Sequence, residues 1–170
     1  AKTLAGIVSK LPDAEIGFKL KENNLVSINY KKSKLDIHGL PSDEFPQLAK
    51  VKETNVFKIE AKVLADMLKY TIFSTSTSED KHVLNGVLFE TGRVSNDASN
   101  LRLIATDGYR MAKRGEKIKN LEVLTSAIVP SRALSELLRI IQNANDGEVK
   151  IVAASDQVSF TYKNSYLVSR

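Results

Sequence analysis

Apolar positions along this chain alternate between two periods. Leu4, Ile7, Val8 and Leu11 follow the i, i+3, i+4, i+7 spacing of one helical face. "AEIGFKLKENN" and "VSINYKKSKL" then switch to the near two-residue alternation of strands, broken by polar turns. The same succession returns twice. In "FKIEAKVLADMLKYTIF", Leu64, Met67, Leu68, Thr71 and Ile72 share a helical face; "NGVLFET", the polar "GRVSNDASN" and "LRLIATDGYRMAKRGEKI" follow. In "SRALSELLRIIQNAND", Leu134, Leu137, Leu138 and Ile141 do the same, followed by "GEVKIVAASDQ" and "VSFTYKNSYL". Pro12 and Asn145-Asp146-Gly147 are the predicted helix stops. Asp107-Gly108 predicts a two-residue hairpin.

The repetition extends to residue identity. "VSINYKKSKL" at 26–35 and "VSFTYKNSYL" at 158–167 agree at six of ten positions, 132 residues apart. The repeating unit reads as strand, helix, then three antiparallel strands. It is complete at about 56–118 and 126–170, and lacks its first strand at 1–38. The predicted class is therefore α+β. Pro41 and Pro46 in "GLPSDEFPQLAKVKET" mark a linker. The expected organisation is half a domain at 1–45, a linker at 46–55 and a whole domain at 56–170. The second and third units would share that domain, with two sheets and two helices packed together. The chain begins at Ala and ends in a strand pattern, which reads as a fragment.

Charge adds a second layer to the repeat. Under the 70-residue offset that superimposes Leu64 on Leu134, Lys62 falls on Arg132 and Lys69 on Arg139, while Lys2 takes the place of Lys62 in the first unit. Residues i and i+7 differ by about 20° around a helix, so each basic pair forms a row away from the apolar stripe. Asp66 and Glu136 lie between them, so a solvated face laced with ion pairs is the plain alternative. Recurrence in register favours a track for phosphates, with a net charge of +5 leaning the same way.

Other chemistry is sparse. With no Cys and two His, disulfides and thiolate metal sites are excluded and no metal or cofactor is implied. No apolar run is long enough to cross a bilayer and no signal-peptide pattern opens the sequence. Thr75, Thr77, Glu79, Asp80 and His82 cluster in sequence, but no nucleophile, base and oxyanion set assembles from them. Asp107 is explained by its turn, and His38 by the end of a strand. A repeat-built interaction scaffold without a DNA role is the rival to a DNA-binding one. A sequence-specific reader is disfavoured by the absence of a recognition-helix motif.

"LNGVLFET", "LIATDGYRMA", "IVPSRALSELLR", "LVSR" and "GLPSDEFPQL", in this order, resemble the bacterial replicative sliding clamp family, the beta subunit of DNA polymerase III. The resemblance covers essentially the whole chain: 1–40 resembles the second half of the first clamp domain and 56–170 the middle domain. It implies the DNA-clamp fold, with helices lining a hole for double-stranded DNA and sheets outside, and a ring closed by two three-domain protomers. This chain alone could not close that ring. The implied role is a non-enzymatic processivity factor in DNA replication, in the bacterial cytoplasm at the nucleoid. Its implied partners are DNA bound without sequence preference, the polymerase III catalytic subunit, the clamp loader and other proteins carrying short clamp-binding motifs.

Family roles carry over residue by residue. Leu84, Thr106, Gly108, Tyr109, Arg110 and Met111 would form the middle-domain wall of the groove for partner peptides. Tyr109 stands where many relatives carry His, and Met111 where many carry Leu. Leu84 is expected to begin a strand, and Tyr109 and Met111 to leave one sheet face at alternate strand positions. Lys2, Lys62, Lys69, Lys81, His82, Arg132 and Arg139 would face DNA. Ile7, Leu11, Leu35 and Ile37 would face the neighbouring protomer, with simple core packing as the alternative for Ile7 and Leu11.

Overall fold

The computed structural model describes residues 2–11, 13–45, 51–52, 54–78, 82–92, 100–119, 121 and 126–170. The chain divides into two compact units, Ala1–Gln47 and Leu48–Arg170.

In the first unit, α1 (Lys2–Val8) precedes an antiparallel sheet of β1 (Ile16–Leu20), β2 (Leu25–Tyr30) and β3 (Ser33–His38). Phe18 pairs with Ile28 and Leu20 with Val26; Ile28 and Val26 pair in turn with Leu35 and Ile37. Paired residues share a face, so this register gathers Phe18, Leu20, Val26, Ile28, Leu35 and Ile37 on one side, with Leu25 on the other. One helix of seven residues is too small to cover that side. Ile28 is buried, but Phe18, Leu20 and Leu35 remain exposed, and no residue of α1 is buried. The helix ends at Val8, before Leu11, so the apolar stripe read to Leu11 outruns it; Pro12, the predicted stop, lies outside the described residues.

The second unit contains the two complete repeats. The first runs β4 (Asn55–Glu60), α2 (Ala61–Lys69), β5 (Gly86–Thr91), β6 (Leu101–Thr106), β7 (Met111–Glu116). The second runs β8 (Ser126–Pro130), α3 (Ser131–Ile141), β9 (Glu148–Ala153), β10 (Val158–Tyr162), β11 (Ser165–Ser169). Each helix follows its strand without a loop, and the two start 70 residues apart, as the aligned apolar stripes require.

The sheets reveal an exchange that periodicity does not specify. Their orders are β11-β10-β9-β4 and β7-β6-β5-β8, so the first strand of each repeat joins the sheet of the other. Ile59 of β4 pairs with Val149, and its repeat equivalent Val129 of β8 pairs with Val87; all four are buried. Gly86 makes the second crossing possible. A Cβ there would stand 2.7 Å from both the Val129 carbonyl oxygen and the Ile128 side chain, closer than atoms tolerate. The helices pack on each other and on strands of both sheets, burying Leu64, Met67, Leu68, Leu134, Leu137 and Ile141. Phe89 of one sheet meets Phe160 of the other edge-on, with ring centroids 6.1 Å apart.

α2 ends at Lys69, so Thr71 and Ile72 of its predicted stripe lie past its last turn. Thr71 stays buried by donating its hydroxyl to the Met67 carbonyl at 2.8 Å. α3 ends at Ile141, ahead of the predicted stop, and Gly147 instead takes a positive φ of 95° just before β9. The repeated decapeptides become the hairpins β2–β3 and β10–β11. Each turns through a lysine with positive φ, Lys31 at 49° and Lys163 at 50°, and each of these lysines lies 5.4 Å from the ring of the preceding tyrosine.

Candidate functional site

A connected set of hydrogen bonds joins the β6–β7 connection to the short helical turn Ile72–Ser74. Asp107-Gly108 does not make the two-residue turn expected from sequence. Thr106 pairs with Met111, leaving a four-residue connection, 107–110. Asp107 explains the longer loop: its Oδ1 accepts from the backbone N–H groups of Tyr109 at 2.9 Å and Arg110 at 3.0 Å. Gly108 supplies a positive φ of 95°, and its N–H donates to Thr106 Oγ1 at 3.1 Å. The Thr106 hydroxyl in turn donates to the Arg110 carbonyl at 2.7 Å.

These donors hold the Asp107 carboxyl below its ordinary value of 3.8, backbone N–H groups first and Arg110 after them. A depressed carboxylate pKa contributes stability above the unfolded value and loses it as pH falls through the folded one. The amide signals of Tyr109 and Arg110 are therefore expected to titrate with a midpoint below 3.8. In Asp107→Ala they should be displaced at every pH. A wild-type midpoint above 3.8 would contradict the anchoring.

Arg110 is fixed from two directions. Nε donates to Asp107 Oδ2 at 2.9 Å and an Nη donates to the Phe73 carbonyl at 2.9 Å. The guanidinium carbon lies 5.8 Å from the Phe73 ring centre. Phe73 was not identified from sequence. Thirty-seven positions separate it from Arg110, and no periodic signal links "TIFS" to the hairpin.

The other proposed groove residues are only partly as expected. Leu84 does not begin β5; it lies in the helical turn His82–Asn85, half-buried, with its carbonyl accepting from Ser76 N–H at 2.8 Å. Tyr109 lies in the connection rather than in β7, so its relation to Met111 is not strand alternation. Tyr109 is 96% exposed and Met111 69%, which excludes ordinary core packing for both. Met111, Thr106 and Ile104 share the sheet face opposite the buried Leu103 and Ala105.

Lys62, Lys69, Arg132 and Arg139 are all exposed, on the sides of α2 and α3 away from the buried stripes. Arg139 is paired with Glu136, one turn back, as the ion-pair reading anticipates. Lys2 is exposed on α1 and His82 on its turn. Lys81 lies outside the described residues, as do Glu79 and Asp80 of the suspected nucleophile–base cluster. In the first unit, Ile7, Leu11 and Leu35 line one cavity of 230 Å³ together with Ile28 and Tyr30. Ile37 lies on the same sheet face, two residues along β3. Ile7 and Leu11 are both partly buried, beside the buried Ile28. No group of three or more metal-binding side chains forms among the described residues. No described helix is long and apolar enough to cross a membrane.

Two helices packed on sheets that exchange their first strands form the fold of the sliding clamps, as the comparisons show. The chain superimposes on the crystal structure of the Bacillus subtilis DNA polymerase sliding clamp with a TM-score of 0.86 and 30% identity, over 99% of this chain and 43% of that one. A sliding clamp from Bartonella birtlesii bound to griselimycin gives 0.86 and 30%, over 99% and 45%. The family profile described as DNA polymerase III beta subunit, central domain matches residues 58–170, and the chain belongs to that family. Among curated relatives, the beta sliding clamp of Halalkalibacterium halodurans is 34% identical over all of this chain, and that of Bacillus subtilis 32%. The chain spans 44% of the length of each.

Proposed function

We propose that this chain is part of a sliding clamp that encircles duplex DNA and tethers a polymerase to it. The observation that carries this is the match of nearly the whole chain to a known clamp at a TM-score of 0.86. On this reading the protein performs no catalysis. Residues 1–45 form half of one clamp domain and 56–170 the next. The exposed basic residues of α2 and α3, with Lys2, Lys81 and His82, offer sequence-independent phosphate contacts. Weak contacts suffice, because a closed ring is held topologically, and a tethered polymerase works at high effective concentration.

Leu84, Thr106, Gly108, Tyr109, Arg110 and Met111 form one wall of a peptide site for the polymerase III catalytic subunit, the clamp loader and other partners. Ile7, Leu11, Leu35 and Ile37 meet a second protomer; the uncovered apolar face of the first unit suits that use. Such a protein works at the nucleoid, in the cytoplasm.

The test is topological. The chain, extended to the length of its relatives, is loaded onto a nicked circular plasmid and separated from free protein by gel filtration. It is expected to remain with the circle and to be lost when the plasmid is linearised. Retention on linear DNA would count against an encircling ring.

A further inference from the structure

The contacts around Arg110 say what kind of group it can read. This inference rests on the peptide site proposed above. A guanidinium has five N–H donors. Asp107 takes one and the Phe73 carbonyl another, so three remain without a protein partner among the described residues. The side chain is thus aimed before any ligand arrives. Its charge is also offset, because the Asp107 carboxylate lies 2.9 Å from Nε. A ligand carboxylate placed at the remaining donors would gain from Arg110 and lose from Asp107. An uncharged carbonyl would keep the hydrogen bonds without that repulsion. Phe73 adds rigidity through its carbonyl and its ring, and being 57% exposed it can touch the ligand as well.

We propose that Phe73 and Asp107 hold Arg110 as an aimed, charge-offset donor that accepts a neutral carbonyl of the partner peptide, main-chain or side-chain amide, rather than a carboxylate. Phe73 and Asp107 are positioning residues in this arrangement, and together they set specificity. Preorganisation of this kind lowers the entropy lost on binding.

The experiment uses the chain extended to the length of its relatives, so that the site has its other wall, and two probes, acetyl-Leu-Phe-amide and the same dipeptide with a free carboxylate. Their apolar side chains suit exposed Met111, and they differ only at the terminus, a neutral amide in one and a carboxylate in the other. Titration is followed by the Arg110 Nε–H signal and the amides of 106–111. The amide is expected to bind at least as tightly as the acid. In Asp107→Asn the order should reverse by up to about fivefold, the size of an exposed ion pair. Preference for the acid in the wild type would overturn the neutral-acceptor assignment while leaving the peptide site standing. If neither probe shifts these signals, the peptide site itself is wrong and this inference falls with it.

Positioning is read separately. Without any probe, Phe73→Ala is expected to move the Arg110 Nε–H signal and speed its exchange, whereas Phe73→Tyr should restore it. The losses in amide affinity from Phe73→Ala and Arg110→Ala should be less than additive when combined. Full additivity together with an unmoved Arg110 signal would make Phe73 merely an apolar wall and overturn its positioning role.

Discussion

Lys62→Glu, Lys69→Glu, Arg132→Glu and Arg139→Glu, introduced together, are expected to flatten the salt dependence of duplex DNA binding. Each phosphate contact contributes about 0.9 to the slope of log K against log salt, so the loss should be about three units. It falls short of four full contacts because Arg139 is already paired with Glu136. The measurement is fluorescence anisotropy on a short labelled duplex across a salt series. A control variant replacing Lys58, Lys113, Lys117 and Lys150 with Glu makes the same change in net charge, with three of the four on β4, β7 and β9. It should change the slope much less. Equal slopes for the two variants would show that overall charge, not the helical rows, governs binding.

The helices themselves argue that these residues are not there for stability. Lys62 and Arg132 occupy the first turns of α2 and α3, where neither helix has an acidic residue. A helix N-terminus favours negative charge by about 0.3–1 kcal/mol per residue. Basic residues at both equivalent positions therefore act against the macrodipole. Lys69 and Arg139, in the last turns, act with it. The four-fold variant should consequently lose little fold stability, since the gain at one end of each helix offsets the loss at the other. That keeps a binding defect distinguishable from unfolding.

Much of the architecture was legible because repetition amplifies weak signals. One apolar stripe such as Leu64, Met67, Leu68 is ambiguous at its ends, yet its recurrence at Leu134, Leu137, Leu138 fixes the offset and with it the whole unit. What stayed hidden was non-local. Nothing in the alternation of "NVFKIE" says that β4 pairs with β9 of the other repeat, because the strand buries the same Phe57 and Ile59 whichever sheet it joins. The site divides the same way. Asp107-Gly108 announced a turn, but its length was set by the Asp107 side chain binding two backbone N–H groups, a competition that dipeptide preferences do not decide. Phe73 was invisible because its role depends on Arg110 folding back over it. The family resemblance singled out residues 106–111; side-chain hydrogen bonding shows how that connection is held.

The exchange of first strands has an energetic consequence that single substitutions can expose. Leu64 and Leu134 are repeat-equivalent and both fully buried. Leu64→Ala and Leu134→Ala should each cost about 2–5 kcal/mol, the lost transfer energy plus the cavity left behind. A unit of this size has about 5–15 kcal/mol to lose, so either change removes a large share. If each repeat were an independent fold, Leu64→Ala would melt the first and leave the second intact. That outcome is not expected here. β4 belongs to the second repeat's sheet and β8 to the first, while α2 packs on α3 and Phe89 on Phe160 across the middle. Unfolding either repeat strips an edge strand and half the core from the other. Both variants should therefore shift one shared transition within residues 56–170, with signals from β5 and β10 melting at the same denaturant concentration. Urea titration followed by NMR at Val87 and Phe160 reads this directly. Separate midpoints for the two residues in either variant would mean that the crossed strands do not couple the repeats.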